Sequence, residues 1–210
     1  MYDTPHYDAL NDLLVSRRSV GLFRENTQIA DQTLRDLAEA ATRAPSAYNL
    51  QNWRFIAVRT PDAKARLQAA AYGQPQIGTA SATFIMIGVE TGYLDLADRL
   101  RPAQDAGIVP DAVAESWIDG AAQSHSQSSE LRRDEAFRSV SLASMCLMLA
   151  AESRGLATGP MSGFDADAVR DAFDLAPGEI PVMLITVGVA ENTAWPQKPR
   201  RPVEDVLSFA

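Results

Sequence analysis

Cysteine and histidine are the scarce residues of this chain, with one cysteine (Cys146) and two histidines (His6 and His125) among 210 residues. A single thiol excludes an intramolecular disulfide and suits a reducing compartment. Cys146 lies in the apolar run 142–151, where a free thiol packs as a small buried hydrophobe. The histidines stand far apart with no cysteine or carboxylate at ligand spacing, so no metal site is expected. A Ser-His-Asp or Cys-His hydrolase would have to be built around His6 or His125, both in weakly patterned segments. The sequence has no Gly-x-Gly-x-x-Gly fingerprint, no P-loop and no Gly-x-Ser-x-Gly elbow. Acidic side chains are plentiful, but none stands in an apolar setting that would raise its pKa for general-acid work. No stretch approaches the ~20 apolar residues that span a bilayer. The first ten residues carry no basic or apolar leader pattern, and a soluble cytoplasmic protein is the expectation.

What is present is an acidic chain of ordinary globular composition, 46% apolar and 22% charged with a net charge of -8. A chain of this size buries roughly 70% of its unfolded surface and needs no metal or disulfide staple, so residues 1–210 are expected to form one domain. The negative total argues against nucleic acid and anionic membranes as partners. Its distribution is uneven. Between residues 40 and 89 the only acid is Asp62, against Arg43, Arg54, Arg59, Lys64 and Arg66. Two further basic groups lie near opposite ends of the chain: Arg17, Arg18 and Arg24, and Lys198, Arg200 and Arg201. If the fold joins those ends, they form one cationic pocket suited to a small phosphorylated ligand. If it does not, they are solvated surface charges.

Periodicity predicts helices over 7–16, 31–43, 62–71, 135–153 and 165–173, and buried strands over 54–59, 83–89 and 181–189. The stretch 92–130 is weakly helical. Helix 135–153 is apolar nearly all round and calls for burial on every side, at a subunit interface or inside one core. Residues 195–210 carry Trp195, Val203, Val206, Leu207 and Phe209 with no nearby partner, as expected of a tail that packs across another surface. Helices interleaved with three or four strands give an α+β or α/β class.

The chain is therefore short of its own acid, base or nucleophile, yet it has anion-binding groups and a polar loop, Ser46, Asn49, Gln51 and Asn52, able to hydrogen-bond a flat heterocycle. A cofactor that carries the chemistry explains both. Four segments then coincide in order and spacing: Ser16-Arg17-Arg18-Ser19-Val20 with Phe23; Ala44-Pro45-Ser46-Ala47-Tyr48-Asn49-Leu50-Gln51-Asn52-Trp53; Gly155-Leu156 with Pro160-Met161-Ser162-Gly163-Phe164-Asp165; and Lys198-Pro199-Arg200. Together they resemble the FMN-dependent nitroreductase family over residues 10–208.

The resemblance implies an α+β fold with a central, mostly antiparallel sheet surrounded by helices, in a domain-swapped homodimer whose tail, 195–210, extends over the partner. It implies FMN at the subunit interface and NAD(P)H as co-substrate. Ping-pong hydride transfer through flavin N5 would reach a small-molecule acceptor: a nitroaromatic, quinone or activated alkene. A dehalogenating or flavin-consuming enzyme, or a flavin-binding protein without turnover, is the alternative. By position, Arg17, Arg18 and Ser19, with Lys198 and Arg200, would hold the phosphate and flavin edge. Pro45, Ser46, Asn49 and Gln51 would come from the partner subunit, and Pro160, Met161, Ser162 and Gly163 would lie against the ring. No side chain is required as acid or base. The sequence departs from the family at Gly21, where a basic residue is common, at Ser162, where several members carry Glu, and at Asn52, within a common Gln-Pro-Trp.

Overall fold

One apolar strand organises the sheet. Strand β2 (Ala82–Val89) is a run of apolar residues with almost no polar interruption, and a strand of that kind is covered on both faces. In the computed structural model, which describes residues 5–191 and 195–210, β2 is buried along nearly its whole length. It is flanked by β1 (Trp53–Val58) and β4 (Glu179–Gly188), and β3 (Ala157–Met161) completes the antiparallel order β1-β2-β4-β3. Side chains alternate across the strands as the period of two requires. Phe84 and Met86 face one cluster with Ile185 and Val187, while Ile85, Ile87 and Leu184 face another.

The first face is covered by α2 (Asp31–Thr42) and α7 (Ser129–Glu152). Residues of α3 (Pro61–Ala70), α4 (Pro75–Thr79) and α8 (Ala166–Ala172) pack on the second. Local chemistry sets their ends. Thr60 accepts a hydrogen bond from the Ala63 N–H while Pro61 opens α3. Asp165 caps α8 by accepting from the N–H groups of Asp167 and Ala168, each at 3.0 Å. Helix α7 begins six residues earlier than its apolar run suggests because Ser128 caps it, accepting from the Leu131 N–H at 3.0 Å. The weakly patterned region resolves into α5 (Leu96–Asp105) and α6 (Asp111–Gln127), which enclose a smaller cluster of Leu50, Leu96, Leu100, Ala114 and Ala121.

Three expectations change. Strand β4 starts two residues before residue 181, because a register shift between Met86 and Ile87 accommodates Pro181 inside a central strand. Helix α7 is not buried on every side: Ala136, Val140, Ala143, Leu147 and Ala151 face the sheet, but Leu142 is half-exposed. Cys146 is only partly buried, and burial pushes its thiol pKa up, which suits an inert packing role. α1 (Pro5–Ser16) rests on α7 and also leaves Leu10 and Leu14 exposed.

One ion pair ties the sheet together from β1 to β4. The guanidinium of Arg54 donates to both carboxylate oxygens of Glu179, at 2.5 and 2.7 Å, and Glu179 also accepts the Ala176 N–H at 2.8 Å. These bonds hold the Glu179 carboxyl below the usual carboxylate range. A depressed folded-state pKa stabilises the protein above the unfolded value of about 4.3, and that share is lost as pH falls through the folded value. Glu179→Gln is expected to cost about 1–3 kcal/mol at neutral pH. It should also flatten the acid limb of a pH-stability curve measured by urea unfolding.

Candidate functional site

The two ends of the chain meet because residues 19–24 extend the sheet. The Val20 N–H donates to the Thr158 carbonyl at 2.9 Å, and Ser19 bridges Thr158 in parallel. Farther along, the Arg24 N–H donates to Val189 and the Glu191 N–H to Leu22. The chain leaving β4 is thus threaded beside the segment leaving α1. The Gln197 side-chain amide then donates to the Leu14 carbonyl at 3.1 Å, placing the tail against the end of α1.

Gly159 makes the close approach at β3 possible. A Cβ there would strike the Val20 carbonyl and lie 2.6 Å from Thr186 Oγ1. The Thr186 hydroxyl meanwhile donates to the Gly159 carbonyl at 3.1 Å.

Around this junction lies a cavity of about 160 Å³ lined by Arg17, Arg18, Ser19, Gln197, Lys198 and Arg200. Both predicted basic groups are therefore in one place. Among the described residues no carboxylate pairs with Arg17, Arg18, Lys198 or Arg200. Arg200 is folded back by a bond from its guanidinium to the Lys198 carbonyl at 2.8 Å. Four cations without an ion-pair partner among the described residues thus concentrate positive charge at one place in a chain of net charge -8.

Ser19 and Lys198 also line an adjoining chamber of about 430 Å³, walled by Val20, Gly21, Leu22, Pro75 and Trp195. That volume falls within the roughly 300–1,000 Å³ of small-molecule sites. Gly21 has nothing within 4 Å of where a Cβ would stand, so the position without a basic side chain opens on empty space. The Lys198 ammonium lies over the Trp195 ring, 5.6 Å from its centroid.

Pro160, Met161, Ser162 and Gly163 line neither cavity; residues that sequence reasoning missed tie this end of β3 to the turn leading into Pro75, which walls the larger chamber. The Gln74 amide donates to the Gly163 carbonyl at 2.6 Å, and the Gln76 amide lies 2.8 Å from Met161 Sδ. The turn that carries them has two successive left-handed residues, Tyr72 and Gly73. Gly73-Gln74-Pro75 was readable as a turn, but nothing local joined it to residues 160–163. Pro160 and Met161 are part-buried in β3, while Ser162 and Gly163 are exposed beyond it.

The remaining predicted residues lie elsewhere. Pro45, Ser46, Asn49 and Gln51 occupy the turn between α2 and β1, and none lines either cavity. β1 and β3 are opposite edges of the sheet, three strand spacings or about 14 Å apart. The turn is tightly built: Tyr48, Asn49 and Gln51 are all left-handed, and Ser46 Oγ accepts the Gln51 N–H at 2.9 Å. Asn52 is buried with Oδ1 unpartnered. Of the histidines, the side chain of His6 lies outside the described residues, and His125 is buried in α6. No group of three or more His, Cys, Asp or Glu able to hold a metal occurs among the described residues.

Comparison with known proteins follows the same lines. The model of the nitroreductase family matches residues 14–189. YodC of Bacillus subtilis, provisionally named an NAD(P)H nitroreductase, is 35% identical over 205 residues, covering 94% of this chain and 97% of its own. A CLA biosynthesis enone reductase from Lactiplantibacillus plantarum is 31% identical over 188 residues, covering 86% of this chain and 85% of its own. A provisionally named nitroreductase from Exiguobacterium sibiricum, solved in complex with FMN, superposes with a TM-score of 0.86 at 27% identity, covering 100% of this chain and 99% of that one.

The junction at Gly159 yields a direct test. Gly159→Ala should force residues 19–22 off β3 at a cost of about 1–3 kcal/mol. Calorimetry should show the melting temperature falling by several degrees.

Proposed function

The chain belongs to the nitroreductase family, and we propose that it is a cytoplasmic, homodimeric, FMN-dependent NAD(P)H oxidoreductase formed by residues 1–210 as one domain. The observation that carries this reading is the unpaired cation cluster from both chain ends, opening onto a chamber of small-molecule size. Its donor set suits a phosphate with a planar ring beside it: guanidinium groups that bind phosphate bidentately, a serine, and a strand end with room for backbone contact. Arg17, Arg18, Ser19, Lys198 and Arg200 would hold the phosphate. Pro160, Met161, Ser162 and Gly163 would support the ring, with Gln74 fixing the Gly163 carbonyl.

When bound, FMN supplies the redox chemistry, accepting hydride from NAD(P)H and passing it by a ping-pong mechanism to a nitroaromatic, quinone or activated alkene. The enone reductase relative supports an activated alkene among these acceptors. The protein's own part is to bind and orient, with solvent supplying protons, because among the described residues the only titratable side chain lining the 430 Å³ chamber is Lys198.

The homodimer is supported by what a single chain leaves incomplete. The turn carrying Pro45, Ser46, Asn49 and Gln51 is too far from its own chamber to share a ligand, but a second copy could present it. Leu10 and Leu14 on α1 and Leu142 on α7 are exposed apolar side chains, as are Val203, Val206, Leu207 and Phe209 along the tail. A groove beside β1, lined by Leu34, Ala38, Phe55, Ala57 and Phe84 with Arg35 and the ion-paired Arg59 and Asp31, offers an apolar floor to a partner's tail. No helix of the described residues is long and apolar enough to cross a membrane.

Arg17→Ala combined with Arg200→Ala is expected to leave circular dichroism unchanged and to yield colourless protein. Full yellow absorbance in that variant would refute the phosphate assignment. Deleting residues 203–210 should shift the mass measured by light scattering from dimer towards monomer, with loss of flavin. In stopped-flow mixing, NAD(P)H should bleach the wild-type flavin and a nitroarene should restore its colour. Absence of bleaching would favour a flavin-binding protein without turnover.

A further inference from the structure

His125 is a titratable side chain that the proposed chemistry leaves unused, and its surroundings connect it to the turn assigned above to the cofactor. It is 3% exposed. Its Nδ1 lies 3.0 Å from the Ala121 carbonyl and 3.1 Å from Ser124 Oγ. In the neutral ring whose Nδ1 proton is directed at the Ala121 carbonyl, which only accepts, Nε2 holds a lone pair. That Nε2 is buried with no hydrogen-bond partner. Arg132 pins the same residue from α7, donating to the His125 carbonyl at 2.6 Å.

The imidazole sits between two phenol rings. Tyr93 lies 5.5 Å away, centroid to centroid, and Tyr48 meets the ring edge-on at 6.4 Å. Tyr48 also reaches α6 at Gly120, where a Cβ would stand 3.5 Å from its hydroxyl. Tyr48 is the first of the left-handed residues in the 46–51 turn, with φ 52°. A left-handed backbone at a bulky residue persists only where the surroundings over-determine it. Leu50, buried among α5 and α6, is one anchor of that turn, and the Tyr48 ring against α6 is the other. A phenylalanine in place of His125 would fill the space without leaving a polar atom unsatisfied, so packing alone gives no reason for an imidazole there.

We propose that His125 is a positioning residue for the cofactor turn, holding Tyr48 through its ring and offering Nε2 to the Tyr48 hydroxyl when that turn closes on a flavin. The inference rests on the proposed function, since only a bound flavin gives the turn a ligand. It assigns to α6, outside every segment that carried the family resemblance, control over the geometry of residues 46–51.

A double-mutant cycle on purified dimer tests it, with FMN affinity read from flavin fluorescence as apoprotein is titrated. Tyr48→Phe and His125→Phe should each raise the FMN dissociation constant about tenfold, with melting temperatures close to wild type. The double variant should be no weaker than either single one, because both remove the same interaction. Additive losses, or single variants that bind like wild type, would overturn the assignment while leaving the flavin reading intact. If His125→Phe does not fold, Tyr48→Phe against His125→Asn completes the cycle with the same criterion. Wild-type protein that takes up no FMN would overturn both readings.

Discussion

Everything proposed for this chain depends on a short backbone ladder, residues 19–24 against the ends of β3 and β4. It does two things at once. It fixes Arg17, Arg18 and Ser19 at the rim of the sheet, and it sets the exit of β4 beside them, so that Lys198 and Arg200 arrive within one cavity of their counterparts. Sequence distance between the two basic groups is nearly the length of the chain, and no local propensity could bring them together. The ladder in turn requires Gly159, because any side chain would occupy the space of the Val20 carbonyl. A backbone contact thus creates an electrostatic feature.

The concentration of cations has a consequence for charge balance. Elsewhere the protein pairs its arginines: Arg43 with Glu39, Arg54 with Glu179, Arg101 with Asp98. Exposed pairs of this kind contribute little to stability, about 0–1 kcal/mol each, and Arg54–Glu179 differs because its carboxylate is largely enclosed. At the junction, among the described residues, no carboxylate forms an ion pair with Arg17, Arg18, Lys198 or Arg200. A cavity of unpaired guanidinium groups raises the free energy of the empty protein and lowers that of the anion-bound one, since charge-assisted hydrogen bonds are the stronger kind. The same principle that would make the site bind phosphate would make the apoprotein less stable than the loaded form.

The core was legible from the sequence where burial was strong. The run 83–89 became the central strand, the helices expected over 62–71 and 165–173 formed as α3 and α8, and Gly155 follows α7 in a left-handed conformation. The basic groups of both chain ends were also legible as charge clusters, and the family resemblance gave them a common ligand that composition alone did not. Strand β3 was harder, because Gly159 and Pro160 weaken a strand pattern, and here they are tolerated at a sheet edge where the 19–24 segment needs a close approach. Gln74 and Gln76 were invisible for a different reason. Glutamine after a turn is ordinary, and its meaning arises only when residues 161–163 are folded against it. The 92–130 stretch hid two helices because α5 carries Pro102 inside it and α6 packs with small residues, so neither shows a clean apolar stripe.

The distribution of the family segments over the sheet carries the last step. A ligand held by the 17–19 and 198–200 groups lies beyond the β3 edge, whereas the 45–51 turn lies beyond the β1 edge, with β2 and β4 between them. Those inner strands are buried on both faces and cannot open to admit a common ligand. If both segments serve one cofactor, two copies must be arranged so that the β1 side of one faces the β3 side of the other. Two-fold symmetry then produces two equivalent sites from one type of contact.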